Sequence, residues 1–255
     1  MDQHIGAHSS KLFGILNGVD YDEWNPSTDV HIAQTFDADD MSGKLACKRD
    51  IQEYFGLNRN DDTVLIGFIG RFAEQKGIGL VAGVLDGLLE QNIQIVMLGT
   101  GEKWAEHYFS EAAGRHSGRF GLHIGYSDQL AHKIEAGCDL FLMPSLFEPC
   151  GLNQIYSLRY GTLPIVRATG GLDDTIENFN EEHKYGNGFK FHMATNEALY
   201  YTVLWAVRIY YSEPEVFKEM QKYAMEMHFG WDYAAASYED VYRYVIAKRR
   251  VFKLQ

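Results

Sequence analysis

Short apolar runs recur along this chain, and between most of them lies a stretch with helical periodicity. No other feature constrains the fold as strongly. The runs are KLFGIL (11–16), TVLIGFIG (63–70), IQIVML (93–98), FGLHIG (120–125), DLFLMP (139–144) and LPIVRA (163–168). Each has the length and composition of a strand buried on both faces. Between them Ile78, Val81, Ala82, Leu85, Leu88 and Leu89 fall at helical spacing, as do the stretches 102–114, 127–136 and 151–160. Strand and helix in alternation mean βαβ units and a parallel sheet. The expected class is therefore α/β, a Rossmann-like doubly wound parallel sheet from about residue 60 to 195. A turn-rich lead-in with one helix near 42–55 precedes it.

From about residue 196 the pattern is helical only. Residues 11–255 read as a single domain that includes these C-terminal helices, and the polar first ten residues read as a loose or non-native lead. In the last helix Trp231, Ala234, Ala235, Tyr238, Val241, Tyr242 and Val245 share one face, which is expected to pack in the core. A second reading is that this aromatic stripe docks on a domain outside the chain.

With 255 residues, 46% of them hydrophobic, the chain can bury a full core. Its net charge of -12 argues against non-specific binding to nucleic acid or to an anionic membrane. No run reaches the ~18 apolar residues of a membrane span, and no signal-peptide pattern opens the sequence. Three cysteines without CxxC spacing fit a reducing compartment.

Ligands of a doubly wound sheet sit beyond the carboxyl ends of its strands, and the loops there carry the chemistry. After DLFLMPS comes LFEPCGLN (146–153), which places Glu148 at a strand exit and a helix start directly behind it. The amides of Cys150, Gly151 and Leu152 point toward that crevice, a favourable place for phosphate. Glu148 suits sugar hydroxyls. Arg71 and Lys76 follow the strand TVLIGFIG, and either both reach one diphosphate, Arg as a planar fork and Lys as a mobile point charge, or both are solvated surface cations; the acidity of the chain favours the first. Tyr126 ends the fourth run, where its ring can stack on a base or cap the core. The turn Thr169, Gly170, Gly171 brings further bare amides to the same edge. Gly99-Thr100-Gly101 lacks GxGxxG spacing, which disfavours an NAD enzyme. The acidic pairs Asp39-Asp40, Asp61-Asp62 and Asp173-Asp174 lack DxD spacing, and the ten histidines show no ligand motif. No metal and no cofactor are expected. Cys150 has no histidine nearby in sequence to activate it as a nucleophile, so it is expected to line the sugar pocket.

KLFGILNGVDYDEWNPSTD, GRFAEQKG, the GY at 125–126, PSLFEPCGLNQIYSLRYGTLPIV and ATGGLDDT resemble the bacterial glycogen synthases and plant starch synthases. Tyr156 stands where the broader class of retaining transferases tends to carry a second glutamate, as in those synthases. The resemblance implies the C-terminal half of a glycosyltransferase-B fold, with ADP-glucose as donor, an α-1,4-glucan as acceptor, and an N-terminal domain as partner. It also implies that this half alone is inactive or nearly so. Carried over by position, Arg71 and Lys76 neutralise the ADP leaving group, Glu148 holds glucose hydroxyls, Tyr126 stacks on adenine, and the amides of Cys150, Gly151 and Leu152 meet sugar and phosphate. The implied compartment is bacterial cytoplasm, or plastid stroma for a plant or algal protein. Two alternatives stand beside this: a transferase using another donor such as UDP-glucose, and a stand-alone nucleotide- or glucan-binding module.

Overall fold

A computed structural model describes residue 6 and residues 11–252. The expected loose lead at 1–10 otherwise lies outside the described residues. The chain groups into two compact units: Tyr21–Met227, and Met1–Asp20 together with His228–Gln255.

The first unit holds one six-stranded, all-parallel sheet. Helix α1 (Ser42–Tyr54) precedes β1 (Val64–Ile69), followed by α2 (Ile78–Leu89), β2 (Ile93–Gly99), α3 (Lys103–Arg115), β3 (Phe120–Ile124), α4 (Asp128–Gly137), β4 (Leu140–Met143), α5 (Asn153–Arg159), β5 (Leu163–Arg167), α6 (Gly171–Thr175) and β6 (Phe189–Phe191). Helices α7 (Asn196–Ser212) and α8 (Pro214–Glu226) complete the unit. The strand order is β3-β2-β1-β4-β5-β6. The chain therefore winds outward from β1 through β2 to β3, returns to the other side of β1, and winds outward again. That reversal places the topological switch point between β1 and β4.

The strands form where they do because both sheet faces are covered. β2 is buried at every position and β4 at all four, so continuous apolar runs rather than alternating ones satisfy the burial. β1 and β2 pair in register from Val64↔Ile93 to Ile69↔Leu98. Gly67 sits in the middle of β1 because a Cβ there would lie 2.7 Å from the Ile134 side chain of α4. Ser127 caps α4 by accepting from the Leu130 amide, and Thr195 caps α7 by accepting from Ala198.

Two strand assignments differ from the sequence reading. KLFGIL forms no strand, and Leu12 and Phe13 are more than half exposed. An apolar run becomes a strand only where a ladder partner takes its backbone groups. Here the nearest pairing is an isolated bridge, Val19 to Gly230, within the second unit. The sixth strand is instead β6, three residues long, too short and too interrupted by Lys190 to be legible as an apolar run. Its partner β5 supplies the register, Ile165↔Phe189.

In the second unit α9 (Trp231–Phe252) carries the aromatic stripe. The expected core packing is not found. Ala234 is buried, but Trp231 is 54% exposed, Tyr242 63% and Val245 53%. Helical periodicity specifies which residues share a face, not that anything covers it.

Candidate functional site

The loops after β1 and β4 meet over the switch point. The chain leaves β1 through Gly70 and Arg71, makes a short turn at Glu74–Lys76, and enters α2 at Gly77. Gly77 has φ 72°, and a Cβ there would lie 2.1 Å from the Pro144 carbonyl oxygen. Glycine is needed here because the two loops touch backbone to backbone. Leu146 N donates to the Gln75 carbonyl (2.8 Å), and Gln75 Nε2 donates to that of Phe147 (3.3 Å).

These contacts bring together the residues expected to act. Lys76 Nζ pairs with Glu148 Oε2, with side chains 23% and 10% exposed. Arg71 Nη2 donates to Gln75 Oε1 at 2.9 Å, so it is tethered to the same loop. Ser145 Oγ donates to Glu148 Oε2 at 3.3 Å. Among the described residues no protein group donates to Glu148 Oε1. A carboxylate with one oxygen held by the protein and the other open is suited to accept from hydroxyls. Arg71 makes no ion pair among the described residues, so its fork is available to an anion.

Behind Glu148 the chain turns through Gly151 (φ 74°) into α5, which starts at Asn153. Among the described residues the amides of Cys150, Gly151 and Leu152 donate to no protein acceptor. Gln154, fully buried, donates to the carbonyls of Cys150 (3.0 Å) and Gly151 (3.2 Å) and fixes the turn. Asn153 Nδ2 donates to the Ile69 carbonyl (3.1 Å), tying this helix start to the end of β1.

The turn after β5 closes on Glu148 from the other side. Gly170 has φ 48°, and a Cβ there would lie 2.2 Å from the Glu148 carbonyl oxygen. The Gly171 amide donates to that oxygen (3.1 Å) and is therefore spent on holding Glu148, whereas those of Thr169 and Gly170 find no protein acceptor among the described residues. Arg167, which the sequence reading passed over, is the principal brace here. Its Nε donates to the Ser145 carbonyl at 2.8 Å and its Nη2 to that of Leu146. Its place at the end of LPIVRA, on the ligand edge, was the available signal.

On the other side of β1 the loops after β1 and β2 are also joined, Phe72 N donating to the Thr100 carbonyl (2.9 Å) and Glu74 N to Glu102 Oε1 (2.9 Å). Gly99-Thr100-Gly101 is a tight turn in which the Thr100 hydroxyl and the Gly101 amide are already used. Glu106 Oε1 accepts from Thr100 Oγ1 (2.7 Å) and from the Gly101 amide (3.0 Å), and Glu102 N donates to the Phe72 carbonyl (2.7 Å). Hydrogen bonds from Lys103, the Thr100 hydroxyl and the Gly101 amide hold the Glu106 carboxyl down at about 2. Tyr126, after β3, is 88% exposed. It does not cap the core.

Each acidic pair has at least one member in an ion pair: Asp39 with Lys222, Asp61 with Arg49, and Asp173 with Lys190. Of the histidines, which show no ligand spacing along the chain, His31 and His132 come together with Asp128. Cys150 is half-buried. Among the described residues no helix is long and apolar enough to cross a membrane.

Fold and loops together define a doubly wound α/β domain with its polar crevice at the switch point, the class that binds nucleotide-type ligands. The chain belongs to the glycosyl transferases group 1 family, whose model matches residues 50–225. It is 51% identical over 249 residues to glycogen synthase 1 of Geobacter sulfurreducens, covering 98% of this chain and 50% of that protein. It is 41% identical over 247 residues to soluble starch synthase 1 of Oryza sativa subsp. indica, covering 96% of this chain and 38% of that one. The solved catalytic domain of starch synthase IV from Arabidopsis thaliana, bound to ADP and acarbose, superposes with a TM-score of 0.89 at 33% identity, covering 96% of this chain and 51% of that chain. The chain thus has the fold of one half of a glycosyltransferase-B enzyme, and it spans about half the length of the bacterial relatives it matches.

Proposed function

We propose that this chain is the donor-binding half of a retaining glucosyltransferase that transfers glucose from ADP-glucose to an α-1,4-glucan. The observation that carries the reading is the Lys76–Glu148 pair over the switch point, with Arg71 tethered beside it. A cation pair and an open carboxylate oxygen in one crevice match the two ends of a glucose diphosphate. In this reading Lys76 exchanges Glu148 for the diphosphate, and Glu148 turns to the sugar hydroxyls. The amides of Cys150, Gly151 and Leu152 meet sugar and phosphate, with those of Thr169 and Gly170 beside them. Tyr126 follows a strand three positions from β4, roughly 14 Å at ordinary strand spacing. A nucleoside diphosphate sugar carries base and hexose at opposite ends, and that separation supports assigning Tyr126 to the base.

As the glycosidic bond breaks, negative charge builds on the departing diphosphate. Cations held on it are then worth more in the transition state than in the ground state. Arg71 and Lys76 are the groups assigned to that work. Similarity to an ADP-bound starch synthase supports the adenine nucleotide. We further infer that transfer needs a second domain, which the exposed stripe on α9 supports, since large uncovered apolar surfaces mark interfaces. A stand-alone module predicts a polar surface there.

Calorimetry with ADP and with UDP tests the assignment. ADP is expected to bind more tightly than UDP, and Arg71→Ala and Lys76→Ala to weaken ADP. No heat with ADP at millimolar concentration, together with two silent variants, rejects the site; equal affinity for UDP rejects the donor. Transfer activity in the chain by itself would reject the need for a partner domain.

A further inference from the structure

A second cluster of chemistry-bearing side chains lies outside the crevice described above, where the lead-in segment crosses α4. Asp128 and His132 are four residues apart on α4 and so share a face. His31 is brought to them from the lead-in segment. One donor atom from each of the three lies within 4.8 Å of the others, and His132 Nε2 is 4.0 Å from Asp128 Oδ2.

The decisive feature is how His132 is held. Its side chain is only 1% exposed, yet among the described residues Nε2 has no hydrogen-bond partner. A buried polar atom left without a partner is unusual and calls for one. Its other nitrogen, Nδ1, stands 2.7 Å from Asp29 Oδ2, which also accepts from the Tyr160 hydroxyl at 2.5 Å. Because a carboxylate only accepts, the proton between the two sits on Nδ1, so the lone pair open to a metal is that of Nε2, facing His31 and Asp128. A carboxylate behind one imidazole nitrogen with the other nitrogen aimed at a cluster of ligand atoms is the arrangement that orients metal-bound histidines. The same carboxylate sets the second histidine, since Asp29 Oδ1 accepts from the His31 amide at 2.8 Å. Trp24 stacks on the His132 ring at 3.9 Å and 10°, which restricts its rotation.

From this geometry we propose that His31, Asp128 and His132 bind a divalent transition-metal ion, zinc being the best match to two imidazoles and one carboxylate. Tetrahedral zinc with bonds of about 2.0–2.2 Å holds its ligand atoms roughly 3.4 Å apart, so the three groups close inward by rotation of His31 and the half-exposed Asp128 while His132 stays fixed. Three protein ligands leave one coordination position for water. The ion fastens the segment around residue 31 to α4, about a hundred residues further along the chain.

The test uses the whole chain, stripped with a chelator and titrated with zinc sulfate against a chromophoric zinc indicator, with magnesium chloride as the control. One equivalent of zinc is expected to bind and to raise Tm, with no effect of magnesium. His31→Asn and Asp128→Asn are each expected to weaken zinc by at least the ~10–100-fold that loss of an outer-shell partner costs in such sites. Their Tm without zinc should stay at the unsubstituted value; if His31→Asn disturbs the loop, Asp128→Asn alone decides. Cobalt substitution should give a ligand-field spectrum without a thiolate charge-transfer band, which separates this site from Cys150. Failure to bind one equivalent, undiminished affinity in a folded Asp128→Asn variant, or a thiolate band overturns the proposal.

Discussion

The two edges of the sheet use charge in opposite ways. At the amino-terminal edge Asp139 Oδ2 accepts from Lys48 Nζ (2.7 Å) and from the Leu65 amide (2.8 Å), in a pair whose side chains are 5% and 12% exposed. Lys48 also donates to the Asp61 carbonyl and to Tyr210 Oη. Lys44 is buried and gives its three protons to the carbonyls of Ala136 and Tyr160 and to Thr162 Oγ1. Both lysines are consumed by the fold. At the carboxyl edge, among the described residues, Arg71 has only a neutral partner, Lys76 shares a carboxylate that is open at its other oxygen, and several amides meet no protein acceptor. The sheet thus spends its buried lysines at one edge and keeps an open guanidinium and an open carboxylate oxygen at the other. The difference teaches how to separate stability from function in this molecule by substitution alone.

The sharpest challenge to that division is Asp139→Ala. Removing one member of a buried pair strands the other, at a cost of ~3–5 kcal/mol, and each kcal/mol corresponds to roughly 2–4 °C of Tm at this chain length. Thermal denaturation should show the fall, while ADP binding by the remaining folded protein is unchanged at low temperature. Lost ADP affinity in folded protein would break the division. The converse is Lys76→Ala. In the complete enzyme it should lower transfer by about 10²–10³-fold, the usual effect of deleting one donor to developing negative charge, and shift Tm little.

Within the carboxyl edge, Tyr126→Ala probes the side of β1 on which β2 and β3 lie. Loss of base stacking costs ~1–3 kcal/mol, read by calorimetry as weaker ADP, with Tyr126→Phe nearly silent because the ring remains. Unaltered ADP binding in Tyr126→Ala removes that residue from the site. The smallest effect expected concerns Lys44, which burial pushes down to about 8. Below pH 8 it is charged in both folded and unfolded chains. Between there and its ordinary range the native protein sheds the proton that the unfolded chain keeps, so its contribution to stability rises with pH by on the order of 1 kcal/mol per pH unit. Denaturant midpoints for the wild type and Lys44→Met should therefore move in the wild type's favour from pH 8 to pH 10. A constant difference would mean that Lys44 does not titrate in that window.

Much of the fold is legible in the chain. β1 through β5 and the helices between them follow from apolar runs and helical spacing, because a parallel sheet buried on both faces demands such runs. KLFGIL is equally apolar, but what makes a strand is a partner, and pairing is not written in a single segment. β6 shows the converse, three residues recruited by the edge of β5. The stripe on α9 was legible as a face but not as an exposed one.

At the site, residue types and strand ends placed Arg71, Lys76, Glu148, Tyr126, the amides of Cys150, Gly151 and Leu152, and the turn Thr169, Gly170, Gly171 on one edge of the sheet. Their connections were not legible: that Lys76 reaches Glu148, that Arg167 holds the 145–146 backbone, and that Gly171 spends its amide on Glu148. His31, Asp128 and His132 are the extreme case, two of them a hundred residues from the third with no motif to join them. By itself the sequence determined which segments are strands or helices across most of the sheet and which side chains stand at the strand ends, since both follow from local spacing. Only the tertiary structure decided which of those groups touch and which are left open, because that depends on the order in which the strands pair.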